Sequence, residues 1–394
     1  MSEIVLYPGN WLYNAGVVGL LRVLESANCE IERYLFKSGE VRLSGLENVI
    51  SQKVDIEGIP ISQLSLNWFR ESWEILLSED KKKNIDKNSD LPELIKGVWG
   101  TLFNAYYRGF FNADSNKIFT ATKNDSRPTL QRFDEFVTEA ILASYPSLMR
   151  CSFCNDHNVT FGYKNTFSSE HSKFLGSSAS IKGMPNSFWN NDGQTGSLVC
   201  DRCSFILLCS HLSFISLSDG SEIFINAPSF EVMWYLNKYA REVYEKEKLK
   251  TTKEILGISL IEAVLKFHIQ LGKWTMMNIE VVSKSGSTID FFSLPYEIVL
   301  LLSDNNIASL LDDVGEFSVL NLVLDGNFRG ILELAERIFK IALKPEKERG
   351  KQEKKFTNDK VRLKKNKENL ISFSQKLFKL YALIEEKAKK EVYV

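Results

Sequence analysis

Hydrophobic positions near the start of the chain are interrupted by few polar ones and predict a buried helix. Residues 3–7 have the pattern of a short strand, and after a Pro-Gly turn Asn10 is placed to cap a helix over residues 11–25. That segment is apolar on most of its faces, which is typical of a helix inside a core. Gly16 and Gly19 lie within it, at a cost of about 1 kcal/mol each relative to alanine. We therefore expect another backbone to approach the helix closely at these glycines.

Strand and helix patterns alternate through the next segments and predict a mixed body. Residues 31–43 are typical of strand, whereas the Lys-, Asn- and Asp-rich residues 79–90 indicate a surface loop. An apolar stripe at helical spacing predicts a helix over about residues 130–144. Residues 277–282 and 288–293 are predicted to pair as a hairpin.

Beyond Pro295 the apolar positions keep helical spacing almost throughout. The last predicted helix carries a stripe of five residues, which are Leu370, Phe373, Leu377, Leu380 and Ile384. The predicted fold class is therefore α+β. A mixed N-terminal body over residues 1–302 contains an inserted zinc-ribbon-like module at about residues 146–212. A basic α-helical bundle follows over residues 303–394.

Two Cys-x-x-Cys pairs give the strongest chemical signal. The pairs are Cys151 with Cys154 and Cys200 with Cys203, and 45 residues separate them. Two residues between cysteines let both thiolates reach one metal ion, and two such pairs complete a tetrahedral S₄ shell. We therefore predict a structural zinc ion with no open coordination position. The separation exceeds that of a simple zinc ribbon, so we expect an insertion between the pairs.

Other interpretations of the cysteines stay open at the level of sequence. The spacing also fits four buried structural cysteines, and the same ligands suit an iron–sulfur cluster. His157 and His171 lie between the pairs and are alternative ligands.

The net charge of −1 is the sum of a basic C-terminal segment and an acidic remainder of the chain. Residues 337–390 hold 18 Lys and Arg against 7 Asp and Glu, a balance of +11. A basic end is a cue for an anionic partner, although a solvated helix surface or a dock for acidic proteins fits as well. The candidate nucleic-acid contacts in this part of the chain are Lys354, Lys355, Arg362, Lys364 and Lys365. A second set flanks a turn at Pro128 and comprises Lys123, Arg127 and Arg132, for which an ordinary solvated loop is the competing interpretation.

No catalytic motif is visible in the sequence. We find no phosphate-binding loop, no nucleophile elbow, no His-Asp pair and no pattern for a small-molecule substrate, so we expect a protein that is not an enzyme. No apolar run approaches the length of a membrane span, and no signal peptide is evident. The expected location is a reducing cytoplasm, where cysteines favour metal over disulfides.

The opening helix and the cysteine pairs together resemble one known family. The sequence Trp-Leu-Tyr-Asn-Ala-Gly-Val-Val-Gly over residues 11–19 is similar to the first helix of the CRISPR-associated CXXC–CXXC family, which is named after two separated cysteine pairs. The order of features fits over essentially the whole chain. Only the four cysteines carry over residue by residue, and the resemblance suggests that Trp11, Tyr13 and Asn14 determine the fold rather than contact a ligand.

The resemblance implies a role rather than a reaction. Family members are large subunits of type I-B interference (Cascade) complexes, which suggests guide RNA, target DNA and other Cascade subunits as partners. Such a subunit helps to recognise the motif flanking the target, stabilises the opened DNA and recruits a helicase-nuclease. A stand-alone zinc-ribbon enzyme that binds or modifies RNA is the alternative function.

Overall fold

The computed structural model separates the chain into two units. The first unit comprises Met1–Trp234 and Val282–Phe291, and the second comprises Tyr235–Val281 and Phe292–Val394. The predicted boundary at residue 302 falls inside the second unit. The structure describes residues 3–84, 95, 97–98, 129–146, 150–156, 166–167, 197–218, 220–246, 252–267, 279–285, 288–360 and 370–391.

The first unit combines helices with small antiparallel sheets. Its helices are α1 (Trp11–Ser26), α2 (Leu46–Ser51), α3 (Gln63–Leu76), α4 (Glu79–Lys83), α5 (Thr129–Leu142) and α6 (Asp201–Leu208). Its strands are β1 (Ile4–Leu6), β2 (Val41–Leu43), β3 (Lys53–Ile56), β4 (Ile59–Ser62), β5 (Thr166–Phe167), β6 (Ser197–Leu198), β7 (Ile215–Ser216) and β8 (Glu222–Asn226). They continue with β9 (Glu280–Ser285) and β10 (Thr288–Phe292), whose outermost residues extend into the second unit. The first three pairs of strands form two-stranded sheets, and the last four strands form one sheet in the order β10-β9-β8-β7.

The described elements of the second unit are helical. Helix α7 (Phe230–Lys246) begins in the first unit and continues into the second. The others are α8 (Thr252–Phe267), α9 (Tyr296–Leu302), α10 (Asn305–Val314), α11 (Phe317–Leu324), α12 (Phe328–Ala342), α13 (Lys351–Lys360) and α14 (Leu370–Glu391). The predicted stripe of α14 is buried at Phe373, Leu377, Leu380 and Ile384. Lys376 pairs with Asp313 at 2.8 Å and Lys387 with Asp304 at 3.0 Å, which ties α14 to α10.

Helix α1 begins as the sequence predicts, because Asn10 caps it. The Asn10 side chain accepts a hydrogen bond from the Tyr13 amide at 3.0 Å. Asn14, one turn into the helix, is buried and makes three hydrogen bonds. It accepts from the Gly9 amide at 2.8 Å, and it donates to the Gly9 carbonyl at 3.0 Å and to Asn226 at 2.8 Å. The start of α1 is thereby fixed to the end of β8.

The two glycines of α1 allow close packing against α6, as the sequence predicts. A Cβ atom at Gly16 would lie 2.9 Å from the carbonyl carbon of Ile206, and one at Gly19 would lie 2.7 Å from that of Cys209. Both distances are shorter than real Cβ atoms tolerate, and the obstructing atoms belong to backbone. Any side chain at either position would push the two helices apart.

Aromatic side chains form the core around α3, α5 and α6. Trp68, Phe69, Phe133 and Phe205 are all buried, and the Trp68 ring lies 5.1 Å from Phe69 and 4.8 Å from Phe133 between centroids. His211 is also buried, 2.9 Å from the Ser72 hydroxyl, and burial lowers its pKa to about 3. It therefore remains neutral in the core.

A buried carboxylate ties the β3-β4 hairpin to α3 and α5. Asp134 accepts hydrogen bonds from the Ser62 amide at 2.9 Å, the Ser62 hydroxyl at 2.5 Å and the Ser65 hydroxyl at 2.8 Å. Lys53 pairs with its other oxygen. Because both carboxylate oxygens accept hydrogen bonds, the charge is tolerated in the core.

Two local predictions are wrong. Residues 31–43 are not continuous strand, since Ile31–Tyr34 form a 3₁₀ turn and only β2 is extended. Part of the predicted loop at residues 79–90 is helix α4. The prediction of a hairpin near the end of the first unit is confirmed by β9 and β10. Among the described helices, none has both the length and the apolar character that crossing a membrane demands.

The packing of α1 generates a stability prediction. Glycine-to-alanine changes inside helices usually stabilise them by about 1 kcal/mol. We expect the opposite for Gly19→Ala, a loss of about 3 kcal/mol in the free energy of unfolding, because the methyl group meets the Cys209 backbone. Gly9→Ala is the matched control, since its Cβ would lie 3.5 Å from the Tyr13 ring, an ordinary contact. Denaturant unfolding measures both, and equal stability of G19A and wild type would contradict the close packing.

Candidate metal centre

The first cysteine pair lies in a tight turn. The Phe153 amide donates a hydrogen bond to the Cys151 sulfur at 3.4 Å, and the Asn155 amide donates to the Cys151 carbonyl at 2.8 Å. Asn155 adopts a left-handed conformation with φ of 55°. Asparagine tolerates this conformation better than most residues, so it suits the position directly after Cys154. The turn brings the sulfur atoms of Cys151 and Cys154 close together.

The second pair lies at the start of helix α6. Cys200 is the N-cap residue, and its sulfur accepts a hydrogen bond from the Cys203 amide at 3.4 Å. The Cys200 amide in turn donates to the Cys151 sulfur at 3.4 Å, which joins the two pairs. The Cys151 sulfur thus accepts from the amides of both Phe153 and Cys200, and these donors favour its thiolate form.

Together the four sulfur atoms form one compact cluster. All four lie within 4.8 Å of one another, and the sulfurs of Cys154 and Cys200 are 3.8 Å apart. A tetrahedron with metal–sulfur bonds of about 2.3 Å has an edge of about 3.8 Å. Cys151, Cys200 and Cys203 are buried, and Cys154 is half-buried. The spacing and the donor type therefore fit one tetrahedral metal ion.

The pKa shifts of the cysteines also indicate that a cation would stabilise the cluster. Hydrogen bonds from Cys154, Cys200 and Cys203 lower the pKa of the Cys151 thiol from its ordinary value. The hydrogen bond with Cys151 and then that with Cys154 raise the pKa of Cys200, because the protonated Cys200 thiol is the donor in these bonds. Protein groups alone hence favour only part of the cluster in the thiolate form. A divalent cation at the centre would stabilise all four thiolates.

The arrangement fits a single ion better than a cluster of several metals. In iron–sulfur clusters the cysteines bind different iron atoms, which spaces their sulfurs further apart than ligands of one ion. Here every pair of sulfurs lies within 4.8 Å. Four cysteine ligands complete a tetrahedral shell and leave no position for a substrate. The alternative ligands His157 and His171 lie outside the described residues.

Helix α1 supports the cluster from the side of the core. Tyr13 is buried, and its ring lies 6.3 Å from that of Phe153, which is inside the first cysteine pair. Burial, followed by the charge of the four nearby thiols, raises the pKa of Tyr13 well above its ordinary value, so the hydroxyl stays protonated. Arg202, inside the second pair, forms an ion pair with Asp156 at 3.3 Å. These contacts hold the turn at Cys151 and Cys154 against the start of α6 and against α1.

The sequence identifies the four cysteines that the structure brings together, but it does not show the residues that support them. The signal for Tyr13 was its place in the opening helix, three residues before Gly16. The positions of Phe153 and Arg202 within the Cys-x-x-Cys pairs were visible, but nothing in the sequence indicated what they contact. Such contacts depend on how distant segments meet.

Three of the predicted nucleic-acid contacts lie within the described residues. Lys354 and Lys355 are exposed on α13. Arg132 lies on α5 and is buried, with 3% of its surface exposed, which argues against a direct contact with phosphate. The remaining candidates, which are Lys123, Arg127, Arg362, Lys364 and Lys365, lie outside the described residues.

One comparison with known proteins finds a family whose model matches part of the chain. Residues 145–215 match the model of the family described as CRISPR-associated protein (Cas_CXXC_CXXC), and this segment contains all four cysteines of the cluster. The match supports a CRISPR-associated CXXC family and a CRISPR-associated role. No curated protein and no solved structure matches the chain.

The geometry of the cluster predicts the result of metal analysis. We expect about one metal ion per chain by mass spectrometry of the purified protein. Cys151→Ser and Cys200→Ser each remove a buried ligand and should abolish metal retention and reduce the free energy of unfolding, because binding and folding are coupled. Cys29→Ser is the control, since Cys29 is not part of the cluster. Metal-free wild-type protein with unchanged stability would contradict the metal centre.

Proposed function

We propose that this protein is the non-catalytic large subunit of a type I-B CRISPR RNA-guided DNA surveillance (Cascade) complex, with a structural zinc ion at the four cysteines. The observation that carries the proposal is that the segment matching the CRISPR-associated family is the one that forms the closed cysteine cluster. The similarity of the opening helix to the same family adds a second, separate part of the chain. The proposed location is the cytoplasm, with the complex.

Zinc is the metal that best suits the four cysteines. It prefers tetrahedral thiolate ligands and has no redox chemistry, and a complete shell of protein ligands is characteristic of structural sites. The cluster is formed by a turn and by the start of α6, which are distant in sequence, and helix α1 packs beside both. The role of the ion in this proposal is to hold an inserted zinc-ribbon-like module on the body. It takes no part in a reaction.

The proposed partners are guide RNA, target DNA and other Cascade subunits. In this role the protein helps to recognise the motif flanking the target, stabilises the opened strands and recruits a helicase-nuclease, as the family resemblance implies. The basic segment at residues 337–390 supports contact with nucleic-acid phosphates. Its described part includes Lys354 and Lys355, which are both exposed.

Purification separates this proposal from its alternative. When the chain is expressed together with its neighbouring genes and a repeat array, we expect it to elute with RNA of guide length and with several other proteins. Purified by itself, it should cleave neither RNA nor DNA. A chain that elutes alone from this co-expression and modifies or hydrolyses RNA would support a stand-alone zinc-ribbon enzyme instead.

The basic segment generates a quantitative prediction. Changing Lys354 and Lys355 to Gln should reduce the slope of log affinity against log salt by about 1.4 for single-stranded DNA, since each phosphate contact contributes about 0.7. Sequence preference should stay the same, because phosphate contacts carry no base information. Adding Arg362, Lys364 and Lys365 to the set should enlarge the change.

The control for this experiment changes Lys81 and Lys83 to Gln. Both are exposed lysines of α4, in the first unit. Binding titrations from low to moderate salt measure the slopes. An unchanged slope for the variant at Lys354 and Lys355 would assign these residues to a solvated surface, and a loss of complex assembly would assign them to a protein partner.

A further inference from the structure

In the described part of the chain, strand β10 forms one edge of the four-stranded sheet. It lies at the end of the strand order β10-β9-β8-β7, and within the described residues it pairs with β9 alone. Thr288, Asp290 and Phe291 are exposed, and the two other residues of the strand are half-buried. Proteins usually protect such an edge with lysine, proline, a bulge or a covering segment. The sequence Thr-Ile-Asp-Phe-Phe contains neither lysine nor proline and has high strand propensity.

Aromatic side chains extend from the core to this edge. Phe214 is buried, with its ring 5.9 Å from Phe224. Trp11 lies edge-on at 6.4 Å from Phe214 and also at 6.4 Å from Phe291, which is 56% exposed. A large apolar side chain is thus held at the surface by a rigid aromatic support. Preorganised aromatic residues of this kind supply much of the binding energy in protein interfaces.

The charges near the edge favour polypeptide over nucleic acid. Asp290 is the charged residue of β10, and it is exposed. Lys284 on β9 is already paired with Glu222 on β8 at 3.1 Å. A phosphate backbone would meet the exposed Asp290 carboxylate here and be repelled by it. A peptide strand would instead find backbone groups that are unpaired among the described residues, an aromatic contact and a carboxylate that attracts a basic side chain.

We propose that the edge of β10, which is unpaired among the described residues, binds an extended basic segment of another protein as a fifth strand, together with Phe291 and Trp11. Backbone hydrogen bonds to β10 provide affinity, and the Phe291 ring contacts an apolar side chain of the segment. A Lys or Arg of the segment pairs with Asp290. A second copy of this chain fits less well, because pairing of β10 with itself would bring two Asp290 carboxylates to one interface. The inference does not depend on the proposed function.

The test uses the full-length protein and defined peptides. One labelled ten-residue peptide alternates valine with lysine around a central phenylalanine, and a second peptide has glutamate in place of lysine. We expect the basic peptide to bind more tightly and to slow hydrogen exchange within Thr288–Phe292. Phe291→Ala should weaken binding about tenfold, as expected for an aromatic anchor. Asp290→Lys should reverse the preference between the two peptides.

Val54→Ala is the matched control, because Val54 is an exposed apolar residue on the separate β3-β4 hairpin. It should leave binding unchanged. Phe291 is largely exposed, so both edge variants are expected to fold, and circular dichroism checks this. Equal binding of the two peptides, unchanged binding by F291A, or exchange that slows elsewhere would overturn the proposal. So would a concentration-dependent dimer that F291A abolishes, which would identify a second copy as the occupant.

Discussion

The close packing of α1 on α6 is the constraint on which the metal centre depends. Gly16 and Gly19 remove the side chains that would separate the two helix backbones, and α6 begins at the second cysteine pair. The position of α1 therefore determines where Cys200 and Cys203 lie. Asn10 and Asn14 fix the start of the same helix, and Tyr13 projects from it onto the first pair. One helix thus orients both halves of the centre.

Metal binding and folding support each other in this arrangement. The two cysteine pairs are 45 residues apart, so bringing them together costs chain entropy that one bound ion would offset. Without a cation, four sulfurs within 4.8 Å would repel as thiolates. The packed helices hold the second pair in place and so reduce the entropy that the ion must overcome. We therefore expect the α1–α6 packing and a metal ion at the cysteines to act as one cooperative element.

Local chemistry predicted much of this structure from sequence. The Asn10 cap, the close approach at Gly16 and Gly19, the hairpin of β9 and β10 and the stripe of α14 follow from residue type and spacing. The cysteine spacing gave the candidate ligands. Residues 31–43 were mistaken for strand because β propensity depends on pairing partners that a sequence does not show. The contacts of Tyr13, Phe153 and Arg202 were also hidden, since they join segments far apart in the chain.

Hydrogen exchange in the presence and absence of a chelator tests the coupling of α1 to the metal centre most directly. Removing the ion should accelerate exchange of the amides in α1 and α6 together, because the two helices share one element with the cysteines. Exchange in α12 of the second unit serves as the internal reference and should not change. If the ion is removed completely and the amides of α1 keep their protection, the account of a shared element is wrong.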